Sequence, residues 1–384
     1  MGTGGKMTEE FDSWVEVSES ALAHNTSVFR SLVPAHKKLV AVVKGNAYGH
    51  GMLETSRIAL GSGADWLGVF SPREGLALRD AGVDAPIIVL GPTNRALLDR
   101  ALRADLRLTL TSLEGIRELC AVESRGSALV HLKLETGTNR QGIGERDMAP
   151  AIAALREARV EVEGAFTHFA DIEDTTDHAF AQGQLDRFEQ LLERLRGAGL
   201  PIPMPHTACT AATILFPETY MSMVRVGIGL YGLWPSRETR VSAQSLKRNE
   251  LGLRPAMTWK ARISQIKDVP SGDYVGYGRT YRTTRASRIG VIPVGYVDGF
   301  DRALSNSAHV LVRGTRAPVV GRVCMNLTMV DLTDIPDAHA GEVAVLLGAQ
   351  GDEVISADDL ARISGTINYE VVTRAAAGAP RIVV

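Results

Sequence analysis

Lys44 closes the apolar run LVAVVK (39–44) and is followed at once by GNAYGHG, a glycine-rich turn. An ammonium held between apolar side chains and a turn of small residues loses solvation, which lowers its pKa and makes it a nucleophile or Schiff-base former. The plainer alternative is a lysine that lays its stem along the apolar run and keeps its amine in water. A second concentration of chemistry is VRVGIGLYG (224–232), where Gly227 and Gly229 let backbone N–H groups approach a phosphate. Arg225 beside them is a phosphate clamp, a ring partner, or half of a surface ion pair. Lys133 precedes ETGTNRQGIG (135–144), which contains Arg140, and His168 stands in FTHFA (166–170). A lone histidine is more often a hydrogen-bonded structural group than a catalyst, but several basic groups converging on one rim indicate an anionic ligand. Tyr277 lies between glycines in DYVGYGRTY (273–281), an exposed place for an aromatic hydroxyl or simply a turn residue packed on a neighbour. Tyr296, Met325 and Tyr369 stand in IPVGYVDG, GRVCMNLTMVDL and TINYE, and on pattern alone are core or turn residues.

The elements that must carry these residues fall into two textures. From residue 14 to about 235 one unit repeats: a short apolar run, a turn, then an amphipathic stretch. The runs are WVEV, LVAVVK, DWLGVF, PIIVL, LRLTL, ALVHLKL, VEGAFTH, PMPHT and MVRVGI, with helix-like segments such as 72–82, 94–104 and 177–199 between them. Continuous apolar strands alternating with helices predict a parallel sheet covered by helices, and eight or nine of them suit a (β/α)8 barrel better than an open sheet. No GxGxxG opens a helix after the first strand, which weakens a dinucleotide-binding alternative. In a parallel barrel the C-terminal strand ends face the active site, and these are the positions that Lys44, Lys133, His168 and Arg225 occupy. After the polar connector 244–255 the strands alternate, separated by turns at 270–273 and 313–316. This predicts a mostly antiparallel β domain with one short helix at 356–365, Ser356 as its N-cap and Gly365 as its stop. The boundaries expected are a flexible leader over 1–13, a barrel domain over 14–248 and a β-rich domain over 249–384.

The bulk numbers exclude several classes. The chain has 384 residues, 45% apolar and 22% charged, with a formal net charge of -2, an ordinary globular balance that speaks against a polyanion-binding surface. No run approaches the ~18 apolar residues of a membrane span, and the opening MGTGGKMTEEFDSW lacks a signal-peptide core. Three scattered cysteines form no CxxC pair, which fits a reducing, cytoplasmic location, and the nine histidines show no metal-ligand spacing, so no metal is expected.

AVVKGNAYGHG closely resembles the pyridoxal-phosphate attachment motif of alanine racemases. WVEVSESALAHN, VHLKLETGTNRQGIG, FTHFA, VRVGIGLYG, GYGRTY, IPVGYVDG, GRVCMNLTMVD and TINYE follow in that family's order over nearly the whole chain. The resemblance implies an α/β fold with a (β/α)8 barrel, pyridoxal 5'-phosphate as cofactor, and a head-to-tail homodimer with shared sites that supplies D-alanine for peptidoglycan. Lys44 resembles the lysine that holds the cofactor and serves as one base, and Tyr277 the second base, supplied by a partner subunit. Tyr48, Thr210, Gly227, Ile228 and Tyr369 resemble phosphate-site residues, Arg225 the arginine facing the pyridine nitrogen, and His168 its supporting partner. Arg140 matches a residue near the cofactor's phenolic oxygen, Lys133 a lysine often carbamylated beside it, Met325 a substrate-carboxylate contact through its N–H, and Tyr296 an entryway tyrosine. An arginine at the pyridine nitrogen implies a weaker electron sink than the acid used by barrel-type decarboxylases, the nearest enzymatic alternative. A carrier of the cofactor without catalysis would resemble the barrel alone.

Three departures bear on substrate. Cys209-Thr210 stands where the family usually has Asn-Ser, Asn326 replaces an aspartate, and Thr138-Asn139 replaces Met-Gly. A racemase of broader specificity, acting for example on serine, is therefore the alternative within the family.

Overall fold

The computed structural model describes residues 10–124, 128–158, 160–173, 177–246 and 251–384; most of the leader expected over 1–13 lies outside them. Contacts divide the described residues into two units, one of those within 20–47 and 52–254, the other of those within 10–19, 48–51 and 255–384.

The first unit is a nearly closed parallel barrel. The opening run WVEV, expected to begin it, instead forms β1 (Ser13–Val17), which pairs with strands of the other unit. The barrel strands are β2 (Lys38–Val42), β3 (Trp66–Val69), β4 (Ile87–Val89), β5 (Leu106–Leu110), β6 (Leu129–Lys133), β7 (Glu161–Phe166), β8 (Met204–His206) and β9 (Met223–Val226). From β2 to β8 each strand pairs in parallel with the next, and β9 pairs in parallel with β2. At the β8/β9 seam, Ser222 and Arg225 N–H donate to Pro205 and Ala208 carbonyls at 3.0 Å. Burial on both faces explains the continuous apolar runs: helices cover the outside while Val40, Trp66, Ile88 and Met223 fill one interior layer. The helices start where local chemistry dictates. At Pro72–Asp80 the Ser71 side chain accepts from Glu74 N–H while Glu74 reaches back to Ser71, a reciprocal cap.

The second unit holds β10 (Met257–Arg262), β11 (Gln265–Val269), β12 (Tyr274–Val275), β13 (Tyr281–Arg282), β14 (Ser287–Ile292), β15 (His309–Val312), β16 (Thr315–Pro318), β17 (Thr328–Asp331), β18 (Val343–Gln350), β19 (Glu353–Ile355) and β20 (Arg381–Val383). One sheet runs β16-β15-β18-β10-β1-β20 with β19 beside β18; a second runs β11-β14-β17; β12 and β13 form a ribbon. All pairings are antiparallel except β1 with β20. The strand β1 belongs here because its antiparallel register with β10 runs from Ser13 opposite Ala261 to Val17 opposite Met257. The helix expected at 356–365 is Ala357–Ser364, capped by Ser356 and ended by Gly365 in the left-handed conformation. A further helix, Asn368–Arg374, carries Tyr369. Among the described residues no helix is long and apolar enough to cross a membrane.

Candidate active site

In the barrel unit the sequence-predicted groups lie at the C-terminal ends of the strands. Lys44 follows β2, Lys133 ends β6, His168 follows β7, Thr210 follows β8, and Arg225 lies within β9 with Gly227 and Ile228 beyond it. The turn after Lys44 is wound left-handed: Gly45, Asn46, Ala47 and Tyr48 all have φ between 53° and 63°. Three of these are not glycine, so the turn carries local strain of about 1–2 kcal/mol per residue. It is held by Gly45 N–H donating to Glu74 Oε1 at 2.8 Å, Ala47 N–H to the Val43 carbonyl at 2.8 Å, and Met52 N–H to Asn46 Oδ1 at 2.9 Å. Glu74 also accepts from Phe70 N–H, so one carboxylate ties the lysine turn to the end of β3.

The electrostatics of this rim are one-sided. Burial, then Arg140, then Arg225 hold the Lys44 ammonium below its ordinary pKa, with Glu74 opposing. Burial with Arg140 and Arg225 brings Lys133 down to about 8. His168 is pushed down to about 3 by burial, Arg225, Lys133, Arg140 and Lys44, so it is a neutral imidazole at neutral pH. Arg225 is 5% exposed and is drawn down to about 10 by burial, still a cation at neutral pH. Its Nη1 donates to His206 Nδ1 at 2.6 Å and to the His206 carbonyl at 3.2 Å, and its Nη2 to the carbonyls of Thr167 at 2.9 Å and Thr207 at 3.0 Å. Four bonds on two nitrogens lock the plane of the guanidinium. They go to His206 and main chain, so His206 is the histidine directly bonded to Arg225, a residue that sequence reasoning passed over. His206 stands in the short run PMPHT and ends β8, and a histidine at a strand's C-terminal end was the available signal.

Thr210 Oγ1 accepts from Gly227 N–H at 2.9 Å, which ties the loop after β8 to the loop after β9 and leaves the hydroxyl proton to donate. Ile228 begins a short 3-10 turn, Ile228–Tyr231, where the Tyr231 hydroxyl donates to the Val42 carbonyl at 2.8 Å.

In the other unit, the Tyr48 and Tyr369 rings lie 6.1 Å apart. Tyr277 occupies the connection between β12 and β13 and is 73% exposed. Gly276 and Gly278 flank it with φ of 72° each, a left-handed setting that side chains disfavour, so the glycine–tyrosine–glycine pattern is what turns the chain and presents the hydroxyl. Tyr296 and Met325 are both exposed and lie on facing segments, where Tyr296 N–H donates to the Cys324 carbonyl and Val297 N–H to the Met325 carbonyl.

The predicted residues thus fall into two groups. Lys44, Lys133, Arg140, His168 and Arg225 interact electrostatically within the barrel unit, with Thr210 joined to Gly227. Tyr48, Tyr277, Tyr296, Met325 and Tyr369 belong to the other unit.

Known proteins match on both units. Residues 17–235 fit the family model of the alanine racemase N-terminal domain, and residues 256–383 that of the alanine racemase C-terminal domain. The chain is 40% identical over 385 residues to an alanine racemase of Desulfosudis oleivorans, covering 97% of each. It is 41% identical over 374 residues to an alanine racemase 2 of Oceanobacillus iheyensis, covering 97% of this chain and 93% of that one. Among solved structures, the alanine racemase of Bacillus anthracis with bound L-Ala-P matches with a TM-score of 0.89 at 38% identity, over 97% of this chain and 95% of that one. The alanine racemase of Streptomyces lavendulae matches with a TM-score of 0.88 at 35% identity, over 97% of each.

Proposed function

The chain belongs to the alanine racemase family of enzymes, and from that premise we propose that it interconverts L- and D-alanine by a two-base route with pyridoxal 5'-phosphate as cofactor. The observation that carries this reading is the barrel rim, where a lysine of lowered pKa shares one field with Lys133, Arg140 and Arg225. The donor set fits an aldehyde that carries a phosphate and a basic ring nitrogen. Lys44 supplies the amine, Thr210 Oγ1 with the Gly227–Ile228 turn and the Tyr48 and Tyr369 hydroxyls supply phosphate donors, and Arg225 supplies a buried cation for the ring.

The cofactor, when bound, provides an electron sink for the pair left at Cα. Inversion at a carbon needs a proton removed from one face and returned to the other, so two groups must flank the substrate. Lys44 holds and moves the proton on one face. Tyr277 of the partner subunit holds it on the other, a reading supported by the wide exposure of that ring in the single chain. Arg225 can only donate, so it keeps the pyridine nitrogen an acceptor and the sink weak. That favours return of the proton to Cα over decarboxylation or transamination. The neutral His168 stands beside Arg225 as support. Arg140 and the Met325 N–H meet the anionic groups of cofactor and substrate, Tyr296 borders the entry, and Lys133 is the amine poised for carbamylation. The assembly is a head-to-tail homodimer in the cytoplasm, its D-alanine serving peptidoglycan.

Circular dichroism of L-alanine, D-alanine and L-serine incubated separately with the holoenzyme tests the reading. Both alanine signals should decay to zero, with serine far slower. Borohydride reduction followed by peptide mapping should leave the cofactor on Lys44. Retained alanine ellipticity, or an adduct on another lysine, refutes it.

A further inference from the structure

Behind Arg225 a line of buried polar groups crosses the barrel interior away from the rim. Arg225 Nη1 meets His206 Nδ1 at 2.6 Å, His206 Nε2 meets His131 Nδ1 at 2.9 Å, and His131 Nε2 meets Glu163 Oε2 at 3.2 Å. Glu163 is paired with Arg107 Nε at 3.5 Å, and Arg107 in turn with Asp105 at 2.6 Å. Both histidines are fully buried; His206 ends β8, while His131 lies inside β6, two residues before Lys133.

We propose that Glu163 is a positioning residue for Arg225: its carboxylate, acting through His131 and His206, fixes the one proton arrangement in which the guanidinium is bonded at its inner edge. The argument is a count of donors. A guanidinium carries only N–H groups, so His206 Nδ1 must accept and its proton must sit on Nε2. That Nε2–H donates to His131, whose Nδ1 therefore accepts and whose proton also sits on Nε2. The last donor needs an acceptor, and an ionised carboxylate is acceptor-only. The two ends demand the same direction, and no second arrangement satisfies both. A further proton on either ring would set two donors against each other; burial holds both imidazoles neutral, well below their usual range for His206. Arg107 keeps Glu163 paired at the far end.

The strand is built around this line. A Cβ on Gly164 would come within 2.5 Å of His131 Nδ1 and 2.4 Å of the Met204 carbonyl, so only glycine leaves room for the imidazole. An apolar barrel layer would be the simpler core, since buried polar groups are costly unless every one is bonded.

Glu163→Gln removes the charge and offers N–H in place of an oxygen. His131 Nε2 can then accept, both rings can reverse, and His206 Nδ1–H would face the N–H of Arg225. A buried carboxylate that fixes an imidazole tautomer loses its effect on becoming an amide for this reason. The effect on catalysis rests on the reading of Arg225 as partner of the pyridine nitrogen; the proton arrangement does not.

The test is NMR of holoenzyme labelled with ring-15N histidine. In the unsubstituted protein at pH 7, His131 and His206 should both be neutral Nε2–H tautomers. Either ring found as Nδ1–H or as imidazolium overturns the proposal, with no variant needed. Glu163→Gln should show mixed tautomers at both rings and lower kcat about tenfold with KM within twofold, and Glu163→Asp should restore the tautomers and most of kcat. Unchanged tautomers in Glu163→Gln overturn the proposal. Mixed tautomers with wild-type kcat support it and instead sink the assignment of Arg225 to the ring.

Discussion

The barrel rim and the β12–β13 connection present reactive groups in opposite ways. At the rim, Lys44, Lys133, His168 and Arg225 sit partly or wholly buried and shift one another's proton affinities. In the connection, Tyr277 stands 73% exposed between two glycines, and Tyr296 and Met325 in the same unit are likewise exposed. The rim is chemically prepared by its own chain: desolvation and two neighbouring cations, Arg140 and Arg225, lower the cost of a neutral amine at Lys44. The tyrosine is presented rather than prepared, and whatever makes it a specific acid or base must come from what covers it. A lysine built in and a tyrosine held out is what the proposed completion of the site by a second copy requires.

The sharpest way to break this comparison is to remove each group separately. Lys44→Ala should abolish racemisation, a fall on the order of 10^4-fold or more in kcat, because it removes the residue proposed as both cofactor anchor and one proton carrier. Tyr277→Phe should cost on the order of 10^2- to 10^4-fold while retaining cofactor and melting temperature, since an exposed hydroxyl contributes little to folding. Solvent-deuterium exchange should then survive for one enantiomer only; exchange into both at wild-type rate means that Tyr277 is no base. Mixing the two inactive proteins under subunit exchange should recover activity, because in the proposed head-to-tail dimer a mixed pair contains one site with both residues intact. Demonstrated heterodimers without recovery would place both residues in a site within each chain.

How far sequence reached follows the same division. The eight barrel strands were legible because burial on both faces writes a continuous apolar run, and the helix at Ala357–Ser364 because Ser356 and Gly365 mark its ends. WVEV carries the same apolar signal as a barrel strand, yet its partner, β10, lies some 240 residues away, and pairing at that distance leaves no local trace. The helix Asn368–Arg374 lacks a side-chain cap, so nothing announced it. Lys44 and Arg225 stood out as charges at apolar strand ends. His131, Glu163 and Arg107 stood in plain sight inside ALVHLKL, VEGA and LRLTL, but only barrel closure decides which of them meet. The left-handed winding after Lys44 was only half announced: Gly45 and Asn46 favour positive φ, but Ala47 and Tyr48 do not.

A smaller effect separates the two regions by stability. Gly164→Ala forces a Cβ against a backbone carbonyl and a buried ring, and should lower stability by about 1–3 kcal/mol. Gly278→Ala meets only the Arg322 guanidinium, a flexible end, and should cost about 1 kcal/mol through its φ of 72°. Thermal melts that rank the two in reverse would mean that the barrel interior yields more readily than the turn.

The smallest expected effect concerns Lys133, and it asks whether the rim's excess of positive charge is left standing. Its amine, brought down to about 8 by burial and by Arg140 and Arg225, is half neutral near pH 8. A lysine whose folded pKa is lowered carries a penalty that is fully present below pH 8 and is relieved as pH rises from there towards 10.5. Only the neutral amine adds carbon dioxide, releasing a proton and leaving a carbamate anion among Arg140, Arg225 and Lys44. That exchange of a cation for an anion removes the penalty at lower pH and adds attraction. At pH 8.5, bicarbonate should therefore raise the melting temperature by about 2 °C over carbon-dioxide-free buffer, on the scale of about 1 kcal/mol for a chain of this size. The shift should shrink at pH 7, where about one amine in ten is neutral. Lys133→Met should abolish the bicarbonate response while itself melting higher than the unmodified protein in carbon-dioxide-free buffer. A response that persists in Lys133→Met places the reactive amine elsewhere, and no response at pH 8.5 means that Lys133 stays a lysine whose charge the rim tolerates.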